Sequence, residues 1–275
     1  MYHDFYQLKE NPFNVTADPA FFFPAKYHAE AISYLKYGIT QRKGILVVIG
    51  ETGTGKTTLC RKLVKEGDDT VHFALILNPN LTGLQFLKAI LDDFGIITKQ
   101  PTAFNLMQSL NRFLLEVSSK GQNVVLIIDE AQNMSVKQLE QIRLLSNLET
   151  EKEKLLQIIL MGQPELSKKL NLPSLRQLRQ RVAVYYQLQS LSKDDIASYI
   201  KHRISKSMHT YCRTMPDFTT NAIEAVWRYT QGTPRTINIL CDRALLAGFV
   251  AETCSINEFL IEQCVKEVMS LEHYS

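Results

Sequence analysis

The sequence predicts a three-layer α/β domain with a parallel sheet, followed by an all-helical domain. Three observations carry that expectation. Five short apolar runs rich in branched residues lie between positions 45 and 188. Segments of helical period separate them. After Leu191 the strand signal stops. Strands alternating with helices build a sheet covered on both faces, so its strands read as continuous apolar runs.

In chain order the runs are ILVVI (45–49), VHFALIL (71–77), VVLII (124–128), LQIILM (156–161) and VAVYYQL (182–188). Helices are expected over 56–66, 82–94, 103–119 and 135–150. In the last, Val136, Leu139, Ile142 and Leu145 recur at intervals of three. Beyond Leu191, SKDDIASYIKHRISKSM opens with Ser192 and carries Asp194 and Asp195, residues that favour a helix start. Further helices are expected at 219–230, 235–250 and 256–270.

Composition excludes several classes. With 45% hydrophobic and 21% charged residues, the 275-residue chain reads as globular, not disordered. A net charge of +3 permits contact with nucleic acid or an anionic surface but argues for neither. The five cysteines, Cys60, Cys212, Cys241, Cys254 and Cys264, show no C-x-x-C spacing and read as reduced thiols of a cytosolic protein. MYHDFYQLKE lacks the basic and apolar regions of a signal peptide, and the longest apolar stretch, ALLAGFVA, is too short to span a bilayer.

The chemistry lies in four motifs. GETGTGKTT (Gly50, Glu51, Thr52, Gly53, Thr54, Gly55, Lys56, Thr57, Thr58) matches G-x-x-x-x-G-K-[ST] between a strand and a helix. Its glycines let backbone N–H groups and a helix N-terminus face a polyphosphate. Lys56 can then reach the β- and γ-phosphates of ATP, and Thr57 can offer its hydroxyl to Mg²⁺. VVLIIDEAQ delivers Asp129 to a strand's C-terminal end, where such sheets bind ligands. Asp129 is the expected second Mg²⁺ ligand, and Glu130 the residue that polarises the attacking water. Gln163, in LMGQPEL, is placed to hydrogen-bond that water or the γ-phosphate. Arg235, in GTPRTINIL, follows Pro234 at a helix start and is expected to pair with the γ-phosphate.

Taken in order, MYHDFYQLKENPF, DPAFFF, YHAEAISYLKYGI, GETGTGKTTLCRKL, IIDEAQN, IILMGQPEL, LRQLRQRV and GTPRTIN resemble the AAA+ ATPases, and within them the ExeA/GspA family of secretion-associated ATPases. The resemblance covers nearly the whole chain. It implies a five-stranded sheet of order 5-1-4-3-2 with an α-helical lid. It also implies rings or filaments with nucleotide at subunit boundaries, and an N-terminal segment, around Pro12 and Phe13, that helps enclose the adenine. The expected division is therefore 1–44 as a segment packing on the core, 45–190 as the core and 191–275 as the lid. Gln163 departs from the Asn or Thr of many AAA+ proteins but fits this subfamily. Secretion-type members continue into a transmembrane helix and a peptidoglycan-binding domain, so a cytoplasmic portion or a standalone relative is expected.

The segment LPSLRQLRQRV (172–182) crowds Arg176, Arg179 and Arg181 before the fifth strand. The resemblance implies that one arginine there reaches the γ-phosphate held by the adjoining subunit, with Arg181 the first choice and Arg176 the second. A solvated helix face is the plain alternative, above all for Arg179. The main functional expectation is an oligomerising ATPase of the ExeA/GspA type, cytoplasmic and peripheral at the inner membrane through a membrane-bound partner. The alternative, from a more distant resemblance to transposition ATPases of the TnsC, TniB and MuB kind, is an ATP-dependent binder of duplex DNA acting with a transposase. The basic segment KHRISKSMHTYCR (201–213) favours it, unless that segment is merely a charged helix facing water.

Overall fold

The computed structural model describes residues 2–99, 101–151, 153–209 and 215–272, with the side chains of 268–272 excepted. The chain divides into two compact units. One comprises Met1–Tyr27, Gly53–Gly55 and Gln189–Ser275; the other comprises His28–Thr52 and Lys56–Leu188. In order, the elements are α1 (Tyr2–Phe5), α2 (Lys26–Thr40), β1 (Ile45–Ile49), α3 (Lys56–Lys65), β2 (Val71–Ile76), α4 (Gly83–Asp93) and α5 (Ala103–Ser119). They continue with β3 (Asn123–Ile128), α6 (Val136–Leu145), β4 (Gln157–Gly162), α7 (Pro164–Leu170), α8 (Arg176–Arg179) and β5 (Val182–Gln187). The last are α9 (Asp195–Ser207), β6 (Asp217–Phe218), α10 (Thr220–Thr230), α11 (Pro234–Val250), β7 (Ser255–Ile256) and α12 (Glu258–Glu272).

In the α/β unit the sheet order is β2-β3-β4-β1-β5, all parallel, which is the expected 5-1-4-3-2 read from the other edge. The central strands β1 and β4 are buried at every residue. The edge strand β5 instead alternates, with Ala183, Tyr185 and Gln187 exposed, because one face lacks cover. Capping boxes start α4 (Thr82 with Gln85) and α6 (Ser135 with Gln138), each satisfying helix N–H groups that would otherwise lack partners. The α6 helix stops at Leu145, short of the expected 150. Ser146 ends it, and Glu149 then forms an antiparallel bridge with Lys154.

Register sets up the site. Ile49 pairs with Gly162, and the Gly50 N–H donates to the Gly162 carbonyl at 3.0 Å. The Asp129 N–H donates to the Ile76 carbonyl at 2.9 Å, extending the ladder by one residue. The phosphate loop, the acidic pair and Gln163 therefore leave neighbouring strands at the same sheet edge.

In the other unit, α9–α12 and residues 2–27 share one core. The N-terminal segment holds on through its own side chains, which donate to groups near the far end of the chain. Tyr6 Oη donates to the carbonyls of Leu245 (3.0 Å) and Thr253 (3.2 Å), while Tyr2 Oη and Asn11 Nδ2 donate to Asp242 Oδ1 at 2.7 and 2.8 Å. Residues 2–27 thus belong with the helices, and only 28–44 with the sheet, in place of one segment 1–44 on the core. The α9 helix begins at Asp195, three residues later than expected. Ser192 closes a turn instead, its N–H and hydroxyl both donating to Asp195 Oδ2. The four described cysteines are free thiols, and Cys212 lies outside the described residues. No helix among the described residues is long and apolar enough to cross a membrane.

Candidate nucleotide site

The loop after β1 holds Gly53 at φ +80° and Gly55 at φ +97°, left-handed conformations that side-chain-bearing residues rarely adopt. It delivers Lys56 to the first position of α3. The residue is 5% exposed, and its ammonium donates to the carbonyls of Gly50 (2.7 Å) and Glu51 (2.9 Å). Burial lowers its pKa, against the opposing pull of Glu130 and Asp129. Lys56 makes no ion pair among the described residues.

Thr57 Oγ1 donates to Asp129 Oδ2 at 2.5 Å, so the two residues assigned to Mg²⁺ meet in the fold. Asp129 is 2% exposed, and burial raises its pKa although Thr57 and the Glu130 N–H both donate to it. A hydroxyl and a carboxylate are hard oxygen donors, and a pair of this kind suits Mg²⁺, which keeps water and phosphate for its remaining positions.

Glu130 takes a left-handed backbone conformation (φ 51°, ψ 35°), at a cost of roughly 1–2 kcal/mol for a residue with a side chain. A 3₁₀ turn over residues 131–133 follows, and it returns Gln132 toward Glu130. Gln132 Nε2 donates to Glu130 Oε2 at 2.5 Å, and Gln163 Nε2 reaches the same oxygen at 3.3 Å. Gln132 Oε1 accepts the Gln163 N–H at 3.1 Å. Lys169, on α7, donates to the carbonyls of Gln132 and Met134. Gln132 was not among the residues expected from sequence. It sits in the quoted DEAQ, but no local pattern reveals a bond that depends on a strand 31 residues away.

The remaining expected residues are scattered. Arg235 is exposed in the first turn of α11, and its N–H donates to the Gly53 carbonyl at 3.2 Å within the helical unit, which includes Gly53–Gly55. Phe13 is 1% exposed and packs edge-on against Phe218 at 6.3 Å, in the helical core. A ring so enclosed is a packing residue, which corrects its assignment to the adenine. Arg179 donates to Asn171 Oδ1 (3.0 Å), and Arg181 to Ser146 Oγ (3.3 Å). Arg176 is exposed and has no side-chain partner among the described residues.

Within the basic segment 201–213, residues 210–213 lie outside the described residues. Arg203 is 5% exposed, with Nε and Nη2 donating to the carbonyls of Pro12 (2.5 Å) and Asn14 (3.0 Å) and Nη1 to Tyr199 Oη (3.0 Å). Its guanidinium stacks 4.9 Å from the Phe21 ring centre. This arginine is internal and cannot meet a DNA phosphate.

Comparison with known proteins agrees with this geometry. Residues 39–170 match the AAA domain family. General secretion pathway protein A of Aeromonas hydrophila is 40% identical over 250 residues, 90% of this chain and 45% of that protein, so this chain spans less than half its length. A putative ORC1-type DNA replication protein of Thermoplasma acidophilum is 32% identical over 103 residues, covering 36% of this chain and 27% of that one. Among solved structures, Cdc6p of Pyrobaculum aerophilum superposes with a TM-score of 0.66 at 16% identity (89% of this chain, 68% of that one). The ORC2 protein of Aeropyrum pernix, in ADPNP–ADP complexes, gives 0.63 at 15% (87% and 66%). At such identities the structures speak to the fold alone. Loop, acidic pair, strand order and sequence match agree: residues 39–170 form an AAA domain.

Proposed function

We propose that this chain binds Mg²⁺–ATP on the loop of residues 50–57 and hydrolyses it, with Glu130 activating the water. The observation that carries this reading is the meeting of Thr57 and Asp129 at 2.5 Å beside a buried Lys56 that donates to backbone carbonyls and makes no ion pair among the described residues. Thr57 and Asp129 would hold Mg²⁺, which would supply positive charge to neutralise the phosphates. Lys56 exchanges its loop carbonyls for phosphate oxygens, which restores a full charge partner to a desolvated ammonium. Glu130 accepts the proton of the attacking water, and Gln163 contacts the γ-phosphate end. Lys56→Ala should abolish nucleotide binding. Glu130→Gln should retain binding and trap ATP; rapid turnover by that variant would remove Glu130 from its role.

The same reading makes the active form an oligomer. A cation lent to a neighbour must not be spent inside its own subunit, and Arg176 meets that condition better than Arg181, which is held by Ser146. Turnover per chain should rise more than linearly with protein concentration. Arg176→Ala should remove that rise while sparing ATP binding, and an unchanged rise would return the role to Arg181. Similarity to general secretion pathway protein A over 90% of this chain supports work on a secretion or envelope apparatus through a membrane-bound partner.

A further inference from the structure

We infer that Gln132 is a positioning residue for hydrolysis: its side-chain amide ties the Glu130 carboxylate to the backbone of Gln163 and leaves Glu130 Oε1 as the oxygen that takes the proton from water. This rests on the ATPase reading above and adds to it a residue and an atom.

The amide of Gln132 bonds to both neighbours at once. Its oxygen accepts the Gln163 N–H at 3.1 Å, and its nitrogen donates to Glu130 Oε2 at 2.5 Å. Flipping the amide would set oxygen against carboxylate and N–H against N–H, so the neighbours fix a single orientation. The residue is 9% exposed, and its side chain lies in a space that Gly162 keeps open: a Cβ there would stand 3.1 Å from Gln132 Oε1 and 2.9 Å from Leu166. Lys169 clamps the backbone of the same turn. Each group that touches Gln132 therefore restricts it.

The consequence falls on Glu130. Both donors, Gln132 Nε2 and Gln163 Nε2, approach Oε2. Oε1 has no protein donor among the described residues and keeps its lone pairs. A hydrogen bond to a carboxylate is among the stronger kinds, and it limits rotation of the side chain. A base held at one oxygen presents the other in one direction, which is the geometric requirement of general base catalysis. Gln163 takes part twice, by its side chain and by its N–H. The end of β4 and the end of β3 are thereby linked through one amide.

The test uses the intact chain and two substitutions. Gln132→Ala removes the donor and the acceptor. Gln132→Glu is nearly isosteric and keeps an acceptor for the Gln163 N–H, but it places a carboxylate where the donor stood. In both, the single-turnover rate should fall on the order of 10²-fold. Affinity for a fluorescent ATP analogue with Mg²⁺ should stay at the wild-type value, and affinity for ADP–aluminium fluoride should fall with the rate. If Gln132→Ala does not fold, Gln132→Glu decides alone. Wild-type turnover in either variant overturns the assignment, as does a rate loss matched by an equal loss of ATP affinity. A wild-type chain that hydrolyses nothing would instead remove the proposed function, a separate outcome.

Discussion

Two cations, Lys56 in the α/β unit and Arg203 in the helical unit, are each 5% exposed, and neither forms an ion pair among the described residues. Equal burial hides opposite purposes. Lys56 rests on carbonyls five and six residues back in its own loop, and burial lowers its pKa. Arg203 reaches carbonyls 189 and 191 residues away and is stacked on Phe21. The lysine has only local, replaceable acceptors, so a triphosphate can take it over. The arginine closes contacts between distant parts of the chain, and a guanidinium stays charged whatever its surroundings. Whether a buried cation serves chemistry or architecture is decided here by how far along the chain its partners lie.

Substitutions should separate the two. Lys56→Ala should lose all measurable ATP binding while its melting temperature without nucleotide stays at or above the wild-type value, because a desolvated charge has gone. Saturating Mg²⁺–ATP at a hundred times Kd should stabilise the wild type by about 2.7 kcal/mol and the variant not at all. A variant that melts well below wild type would place Lys56 in the architectural class. Arg203→Ala should do the reverse, destabilising the chain by about 3 kcal/mol in urea titration, since two carbonyls and a tyrosine hydroxyl lose their donor. Arg203→Lys should recover only part of this, because an ammonium cannot serve three acceptors and an aromatic face at once.

Tyr199→Phe should cost about 1 kcal/mol, as its hydroxyl links Arg203 to Asn238 at 2.8 Å. The smallest effect concerns His202, which packs 5.5 Å from the Phe23 ring centre. Burial lowers its pKa, with Lys206 and Arg203 acting in the same direction. The unfolded chain then takes up the proton first as pH drops, so the stability this neutral imidazole contributes is present above pH 6.5 and is lost as pH falls through the folded pKa. His202→Gln should flatten the melting temperature against pH in that window, and an unchanged slope would assign it to other groups.

Much of the α/β unit was legible because its rules are local. Strands β1–β5 fall on the five apolar runs, and the glycine loop and acidic pair carry their chemistry in short motifs. What stayed hidden depends on distant partners. Residues 2–27 join the helical unit through Tyr2, Tyr6 and Asn11, which meet α11 and the turn after it. Arg203 left a trace: Ile196, Tyr199, Ile200, Arg203, Ile204 and Ser207 recur at three and four on one face of α9, all buried. Helical period thus marked an internal arginine inside a segment whose charge suggested a wet surface. Gln132 left none, because its role needs the left-handed turn at Glu130 and the end of β4 together.

On the proposed function, the glycine loop of residues 50–57 holds a magnesium-bound triphosphate through Lys56. Calorimetric titration of the intact chain with Mg²⁺–ATP tests it most directly, alongside Lys56→Ala at the same concentrations. One binding event per chain is expected for the wild type and no heat of binding for the variant. Equal binding by both, or none by the wild type at millimolar nucleotide, would contradict it.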